Sequence, residues 1–411
     1  MSLILANFPS LTGRFAVGCH DIEWKNKKPV NVHNNEPSAK SVLMRLYYPA
    51  NVKKGDSRAN WITHSHYAKG NDSHPYNHEA IKLIEYMAAL CDIAKLPAFL
   101  SNWLSGLASI KKTRFYMDAD ILDNENKPFP VIVFSHGLGG NRLIYSSICS
   151  DLASHGFVVV AIEHRDGSAS LAKGIDDEWI QYDNVPPEIW GFRHHQLRHR
   201  VSEVDLCLAG LDEIALKGLN DANAPQFKGK LDMKSLVMAG HSFGGATTML
   251  TLNEKDTRFQ CGVLLDPWAQ PLMMMVDKHV QIKKPVIAIL SEQFTFWPDN
   301  FESVKELIDN STCSNESVCL TLNGTEHQHQ SDVLLVLRYF TIFDFRSPFQ
   351  IDPVRAIDLN TEAAVTFINK CIKSTASRNN KKRKTNSSAA ASTNTTNFGF
   401  TRVIKKSKLA A

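Results

Sequence analysis

Leu236-Val237-Met238-Ala239-Gly240-His241-Ser242-Phe243-Gly244-Gly245 is the stretch that decides how this chain is read. A short apolar strand runs into Gly-x-Ser-x-Gly and then into a helix-forming segment. A strand that turns this sharply into a helix holds the serine hydroxyl out at the top of a sheet. Glycines two positions either side of Ser242 are needed because a Cβ there would strike the neighbouring strand or helix. Taken alone, the pattern is also that of an ordinary glycine-rich turn. The surrounding chain has to supply the rest of a reaction centre.

Working outward, β-branched runs recur at Val131–Phe134, Phe157–Ile162, Leu236–Gly240, Cys261–Leu265, Val286–Leu290 and Val318–Leu322. Helical segments separate them, which implies a mostly parallel sheet covered on both faces. Together with the serine turn, this predicts an α/β-hydrolase fold for a single catalytic domain over residues 1–373. Residues 11–50 alternate apolar and polar side chains and read as antiparallel strands feeding an edge of that sheet. Residues 61–128 read as an irregular, then helical, lid-like insertion. The stretch 374–411 is rich in Asn, Ser, Thr, Ala and Lys, and reads as a disordered basic tail.

A serine hydroxyl is a weak nucleophile near neutral pH and needs an adjacent base, itself oriented by a carboxylate. In this fold the acid and then the histidine follow the serine in the chain. Two acids qualify. Asp266 abruptly ends the apolar run 262–265 and is followed by Pro267-Trp268, whereas Glu292 closes the next run. The proline favours Asp266, and Glu292 stays a candidate. His327 and His329 both follow the last strand, and His327 lies nearer its end. The tetrahedral oxyanion of acyl transfer needs two backbone donors. One is the amide after the nucleophile, Phe243. The other comes from the glycine-rich loop His136-Gly137-Leu138-Gly139-Gly140, where Leu138 is the natural donor. His194, His195 and His199 have helical spacing that could suit zinc, but they sit among arginines between Arg193 and Arg200. A solvated basic helix face is the expected reading, with no metal and no cofactor.

No uninterrupted apolar run is long enough to cross a bilayer, and the N-terminus lacks the basic start of a signal peptide. Eight scattered cysteines without a CxxC pair fit reduced thiols. A cytoplasmic protein, peripheral on membranes at most, is therefore expected. The formal charge of +4 is uneven. Ten Lys/Arg and no Asp/Glu lie from Lys373 onward, so residues 1–372 carry a net charge of −6. Lys381-Lys382-Arg383-Lys384 suits a nuclear address or anionic lipid, and a solubilising tail is the plainer reading. No nucleic-acid partner is expected.

Phe134-Ser135-His136-Gly137-Leu138-Gly139, Gly240-His241-Ser242-Phe243-Gly244-Gly245, Leu264-Leu265-Asp266-Pro267-Trp268 and His327-Gln328 together resemble the platelet-activating factor acetylhydrolases, intracellular type II and plasma. Gly18-Cys19-His20-Asp21 and Arg45-Leu46-Tyr47-Tyr48-Pro49 share the likeness, which runs over roughly residues 10–372. The resemblance implies calcium-independent cleavage of the sn-2 ester of phospholipids with acetyl, short or oxidised acyl chains. It also implies Ser242 as nucleophile, Asp266 rather than Glu292 as acid, His327 as base, and the Leu138 and Phe243 amides as the oxyanion hole. His329 is then a bystander. Apolar residues from Leu83 to Ile110, followed by Lys111-Lys112, recur at helical spacing and suit membrane contact through 80–112. A general carboxylesterase or lipase of the same fold is the alternative. A noncatalytic lipid-binding protein of this fold would have no need of the full set of chemical groups.

Overall fold

The computed structural model describes residues 8–25, 39–61, 112–125, 127–175, 178–183, 185–253, 257–274, 280–337 and 351–388. Contact density separates the chain into two compact units, Met1–Cys371 and Ile372–Ala411. The first is built on one large sheet. Its parallel part is formed by β6 (Phe129–Ser135), β7 (Val158–Glu163), β10 (Leu231–His241), β11 (Phe259–Leu265), β12 (Val286–Ser291) and β13 (Val318–Leu322). In space these run β13-β12-β11-β10-β6-β7. The apolar runs picked out in the sequence are these strands. Except for β13, the half-exposed edge strand, they are almost wholly buried because helices cover both faces, which is why they read as continuous rather than alternating. The arrangement is the α/β-hydrolase fold.

The sheet continues through β2 (Ser41–Asn51) and β1 (Val17–Lys25), which pair antiparallel as expected. They do not lie at an edge, however. β2 pairs with β7 on its other side, β1 pairs with β4 (Lys112–Met117), and β3 (Arg58–Asn60) closes the sheet. Hence Ser41–Ala50 is buried throughout. Residues 112–117, expected within the helical insertion, instead form strand β4; residues 62–111 of that insertion, with its apolar helical stripe, lie outside the described residues. Asp21 holds Arg45 through two hydrogen bonds of 2.7 Å, and Arg142 pairs with Glu163. These four buried charges account for the Asp21 and Arg45 motifs, and they anchor the chain just beyond the Gly137–Gly140 loop.

The last helix runs from Pro353 to Ser388, so residues 374–388 are helical where an unstructured tail was expected. Nucleated upstream, the helix extends through Ala376, Arg378 and the basic residues 381–384, which favour it, against the weaker propensity of the Ser, Thr and Asn around them. Residues 389–411 lie outside the described residues. Among the described residues, no helix is long and apolar enough to cross a membrane.

Candidate active site

Three strand ends of the parallel sheet converge on one cavity. β10 passes through Ser242 directly into helix Phe243–Asn253. Ser242 has φ of 56°, a left-handed conformation that a serine adopts only when its surroundings enforce it. The enforcement is visible. Ser242 N–H donates to Leu265 O at 2.9 Å, and Ser242 O accepts from Gly245 N and Trp268 N at 2.9 and 3.0 Å. A Cβ on Gly244 would lie 2.0 Å from Ser135 O, so only glycine lets this turn press against β6.

Asp266 ends the neighbouring strand β11, is fully buried, and also has positive φ, 40°. Its carboxylate accepts from Ser291 N at 2.6 Å (Oδ1), and from Ser291 Oγ at 2.6 Å and His327 Nδ1 at 3.0 Å (both Oδ2). His327 opens a short 3-10 turn, His327–Gln330, after β13. Its backbone N–H donates to Gln293 Oε1 at 3.0 Å. Its ring stacks on Phe294, with centroids 5.1 Å apart and planes 7° apart, and lies 4.3 Å from the His241 ring. Ser242, His327, Leu138, Trp268, Gln293, Phe294 and Trp297 line a cavity of about 450 Å3. That falls within the usual range of small-ligand pockets.

The loop after β6 supplies the facing wall. Gly137 N–H donates to Tyr145 Oη at 3.1 Å, and Gly139 N–H donates to Ser168 O at 2.9 Å. The two amides flanking Leu138 are therefore committed to holding the loop. A serine on a strained turn, a histidine on a buried carboxylate, and loop amides around one apolar cavity form a set suited to acyl transfer.

The model of the family described as platelet-activating factor acetylhydrolase, isoform II, matches residues 4–392. The chain belongs to that family. A Canis lupus familiaris platelet-activating factor acetylhydrolase is 30% identical over 393 residues, covering 90% of this chain and 78% of the relative. The Cavia porcellus protein of that name is 31% identical over 379 residues, covering 88% and 77%. A putative phospholipase A2 of Schizosaccharomyces pombe is 27% identical over 305 residues, 60% of this chain and 68% of its own length. Among solved structures, a ferulic acid esterase from Streptomyces cinnamoneus superimposes with a TM-score of 0.61 at 16% identity, covering 89% of this chain and 93% of that one. At that identity the likeness is one of fold.

The other sequence candidates fall elsewhere in this member of the family. Glu292 Oε2 accepts from Gly324 N–H, and Glu292 N–H donates to Thr325 Oγ1 at 3.3 Å, so this acid ties down the loop that carries His327. His329 is buried, with Nδ1 accepting from Glu326 N at 2.9 Å and Nε2 donating to Ile351 O at 3.2 Å. His194 Nε2 donates to Pro271 O at 2.6 Å, His195 is exposed, and His199 pairs with Glu203 at 3.4 Å, so the three do not converge on a metal. The expected solvated basic face is also only partly so. Arg193 and Arg200, on helix Ile189–Lys217, are buried. Arg200 binds Asp166 at 3.0 Å and His136 O at 2.6 Å.

His241, Asp266 and His327 bring donor atoms within 4.8 Å of one another. Tyr145 decides what that cluster can hold. Its oxygen accepts from Gly137 N–H, so its own proton goes to His241 Nδ1 at 2.8 Å and leaves the His241 hydrogen on Nε2. His327 carries its hydrogen on Nδ1, toward Asp266. Burial and the nearby His327 hold the His241 pKa well below that of free histidine. With hydrogen on His241 Nε2 and on His327 Nδ1, neither of these nitrogens offers a lone pair, an arrangement suited to an acid–base pair rather than to ligating a cation.

Ser291, Tyr145 and His241 complete the centre, and residue patterns alone do not single them out. Ser291 had one local sign: it sits between a strand and a short helix, whose Phe294 N–H its hydroxyl caps at 3.3 Å.

Proposed function

We propose that the protein is a calcium-independent serine esterase that hydrolyses the sn-2 acetyl, short or oxidised acyl ester of phospholipids such as platelet-activating factor. The observation that carries this reading is the pairing of His327 with buried Asp266 at 3.0 Å, on the wall of the cavity that also holds Ser242. In this reading the Ser242 hydroxyl attacks the sn-2 carbonyl carbon as His327 Nε2 accepts its proton. Asp266 keeps the Nδ1–H tautomer in place and stabilises the imidazolium that forms. The Leu138 and Phe243 amides receive the negative charge that develops on the carbonyl oxygen. Collapse expels the lysophospholipid alkoxide, which takes the proton from His327. Water, deprotonated by the same histidine, then releases the acyl group from Ser242.

Family membership supports the substrate class, because the curated relatives at 30 and 31% identity are named for hydrolysis of platelet-activating factor's acetyl group. The cavity walls support it too. Leu138, Trp268, Phe294 and Trp297 offer apolar surface to an acyl chain or glycerol backbone, beside the polar Ser242, Gln293 and His327. Phosphatidylcholines differing only in sn-2 chain length, assayed with a chelator present, test the reading. Acetyl and short chains should turn over fastest, with no response to added calcium. Turnover of soluble esters or triacylglycerols but not of short-chain phospholipids would refute the assignment.

A further inference from the structure

The loop that carries Leu138 contains a histidine the reaction does not consume. We propose that His136 is a positioning residue whose Nδ1–H clamps the Gly137 carbonyl and so aims the Leu138 N–H at the ester oxygen above Ser242. The inference rests on the reading of this cavity as an ester-hydrolysing site.

Gly137 C=O and Leu138 N–H belong to one planar peptide unit and point in opposite directions. Whatever fixes the carbonyl therefore aims the amide. The Gly137 oxygen accepts two hydrogen bonds, from His136 Nδ1 at 2.8 Å and from Gly140 N–H at 3.1 Å. The unit is also wedged in place. A Cβ on Gly137 would meet Ser242 Cβ at 3.1 Å, Tyr145 Oη at 3.1 Å and His241 Nδ1 at 3.2 Å.

The partners of His136 fix its tautomer. A carbonyl can only accept, so Nδ1 carries hydrogen toward Gly137 O at 2.8 Å, and the Arg200 Nη2 donor, which could bond only a bare Nδ1, stands farther off at 3.4 Å. On the other side of the ring, His164 N–H donates to Nε2 at 3.2 Å, so Nε2 must offer its lone pair. The ring is buried, and burial together with the Arg200 guanidinium holds its pKa down to about 3. Near neutral pH the ring is therefore a neutral, one-directional donor.

Arg200 braces the same loop from beneath. Its guanidinium is fully buried, and it donates to His136 O at 2.6 Å and to Ser168 Oγ at 2.6 Å. Ser168 O in turn accepts from Gly139 N–H at 2.9 Å. The guanidinium also sits over the Phe243 ring, 4.8 Å from its centroid. The Leu138 loop and the Phe243 side chain thus both contact one buried guanidinium, and His136 is the member of its cluster in contact with the Leu138 peptide.

The test compares His136→Leu, which removes the donor, with His136→Asn, whose side-chain N–H can sit where Nδ1–H does. With a soluble nitrophenyl ester, His136→Leu should lose about 100-fold in kcat, the usual cost of one oxyanion donor, with KM little changed. A trifluoromethyl ketone, whose adduct on Ser242 puts an oxyanion in the same place, should bind more weakly by a similar factor. His136→Asn should restore most of both. A folded His136→Leu protein with near-normal kcat, unchanged ketone affinity, or no recovery with asparagine would overturn the proposal. Histidine 15N spectra of the wild-type protein near neutral pH give a reading independent of turnover and of variant folding. The expected resonance is a neutral Nδ1–H ring, assigned by its loss in His136→Asn; an Nε2–H or doubly protonated ring overturns the clamp. If the wild-type protein hydrolyses no ester, the functional reading fails, and the spectrum still judges the clamp.

Discussion

Replacing Asp266 by asparagine should stop the reaction without dismantling the site, and the structure shows why. Ser291 N–H donates to Oδ1, so that position must remain an acceptor and the amide carbonyl of asparagine will occupy it. The NH2 group then falls at Oδ2, 3.0 Å from His327 Nδ1. Two donors cannot face each other, so His327 shifts its hydrogen to Nε2 and can no longer accept the Ser242 proton. A wrong tautomer at this step costs about 10⁴ in kcat, or roughly 5.5 kcal/mol of transition-state stabilisation. The backbone does not confound the test, because asparagine tolerates the φ of 40° at this position better than most residues. Steady-state kinetics on a short-chain ester give the measurement, with melting temperature as the check on folding. Glu292→Gln is the control: its carbonyl can still accept from Gly324 N–H, so kcat should stay within a few-fold of wild type. An Asp266→Asn protein retaining a tenth of the activity would refute the reasoning, as would a Glu292→Gln protein as inactive as Asp266→Asn.

Two further outcomes follow from the same geometry. Ser291→Ala removes the 2.6 Å hydroxyl bond to Asp266 Oδ2 and the cap on Phe294 N–H; urea unfolding should show a loss of about 1.5–3 kcal/mol, with kcat down about tenfold. The second concerns pH. Burial lowers the pKa values of His136 (to about 3), His164 and His241, so each binds its proton more readily in the unfolded chain. Their contribution to stability is complete above the unfolded value near 6.5 and is lost as pH falls toward the folded values. His136 alone accounts for up to about 2.7 kcal/mol between pH 6.5 and 4.5. Glu203 and Asp332, raised by burial, work in the opposite direction, so the comparison is a difference: His136→Asn should lose less stability over that interval than wild type, by up to this amount. Equal losses measured by urea unfolding would contradict it.

Much of the fold and of the candidate site could be read in the sequence because their signals are local. Gly240 to Gly245 needs only its own neighbours to be recognised as a turn, and Asp266-Pro267 marks the end of a strand in consecutive residues. Choosing between Asp266 and Glu292 was a matter of distance in space, and residue patterns alone left it open. Ser291, Tyr145 and Arg200 stayed hidden for the same reason. Arg200 looked like surface charge because its partners, Asp166 and His136 O, are 34 and 64 residues away in the chain. The interior place of β2 was equally non-local. Its antiparallel partner β1 is adjacent in sequence, whereas β7, which covers its other edge, begins more than a hundred residues later.

The central claim is that Ser242 carries the acyl group between two half-reactions. Acid-quenching the enzyme during turnover of a 2-acetyl phosphatidylcholine, followed by peptide mass mapping, tests this most directly. The account predicts one acetyl group on the peptide containing Ser242, absent from Ser242→Ala, which should also release no acetate. Acetate release by Ser242→Ala, or an acetyl group found on another residue during wild-type turnover, would contradict it.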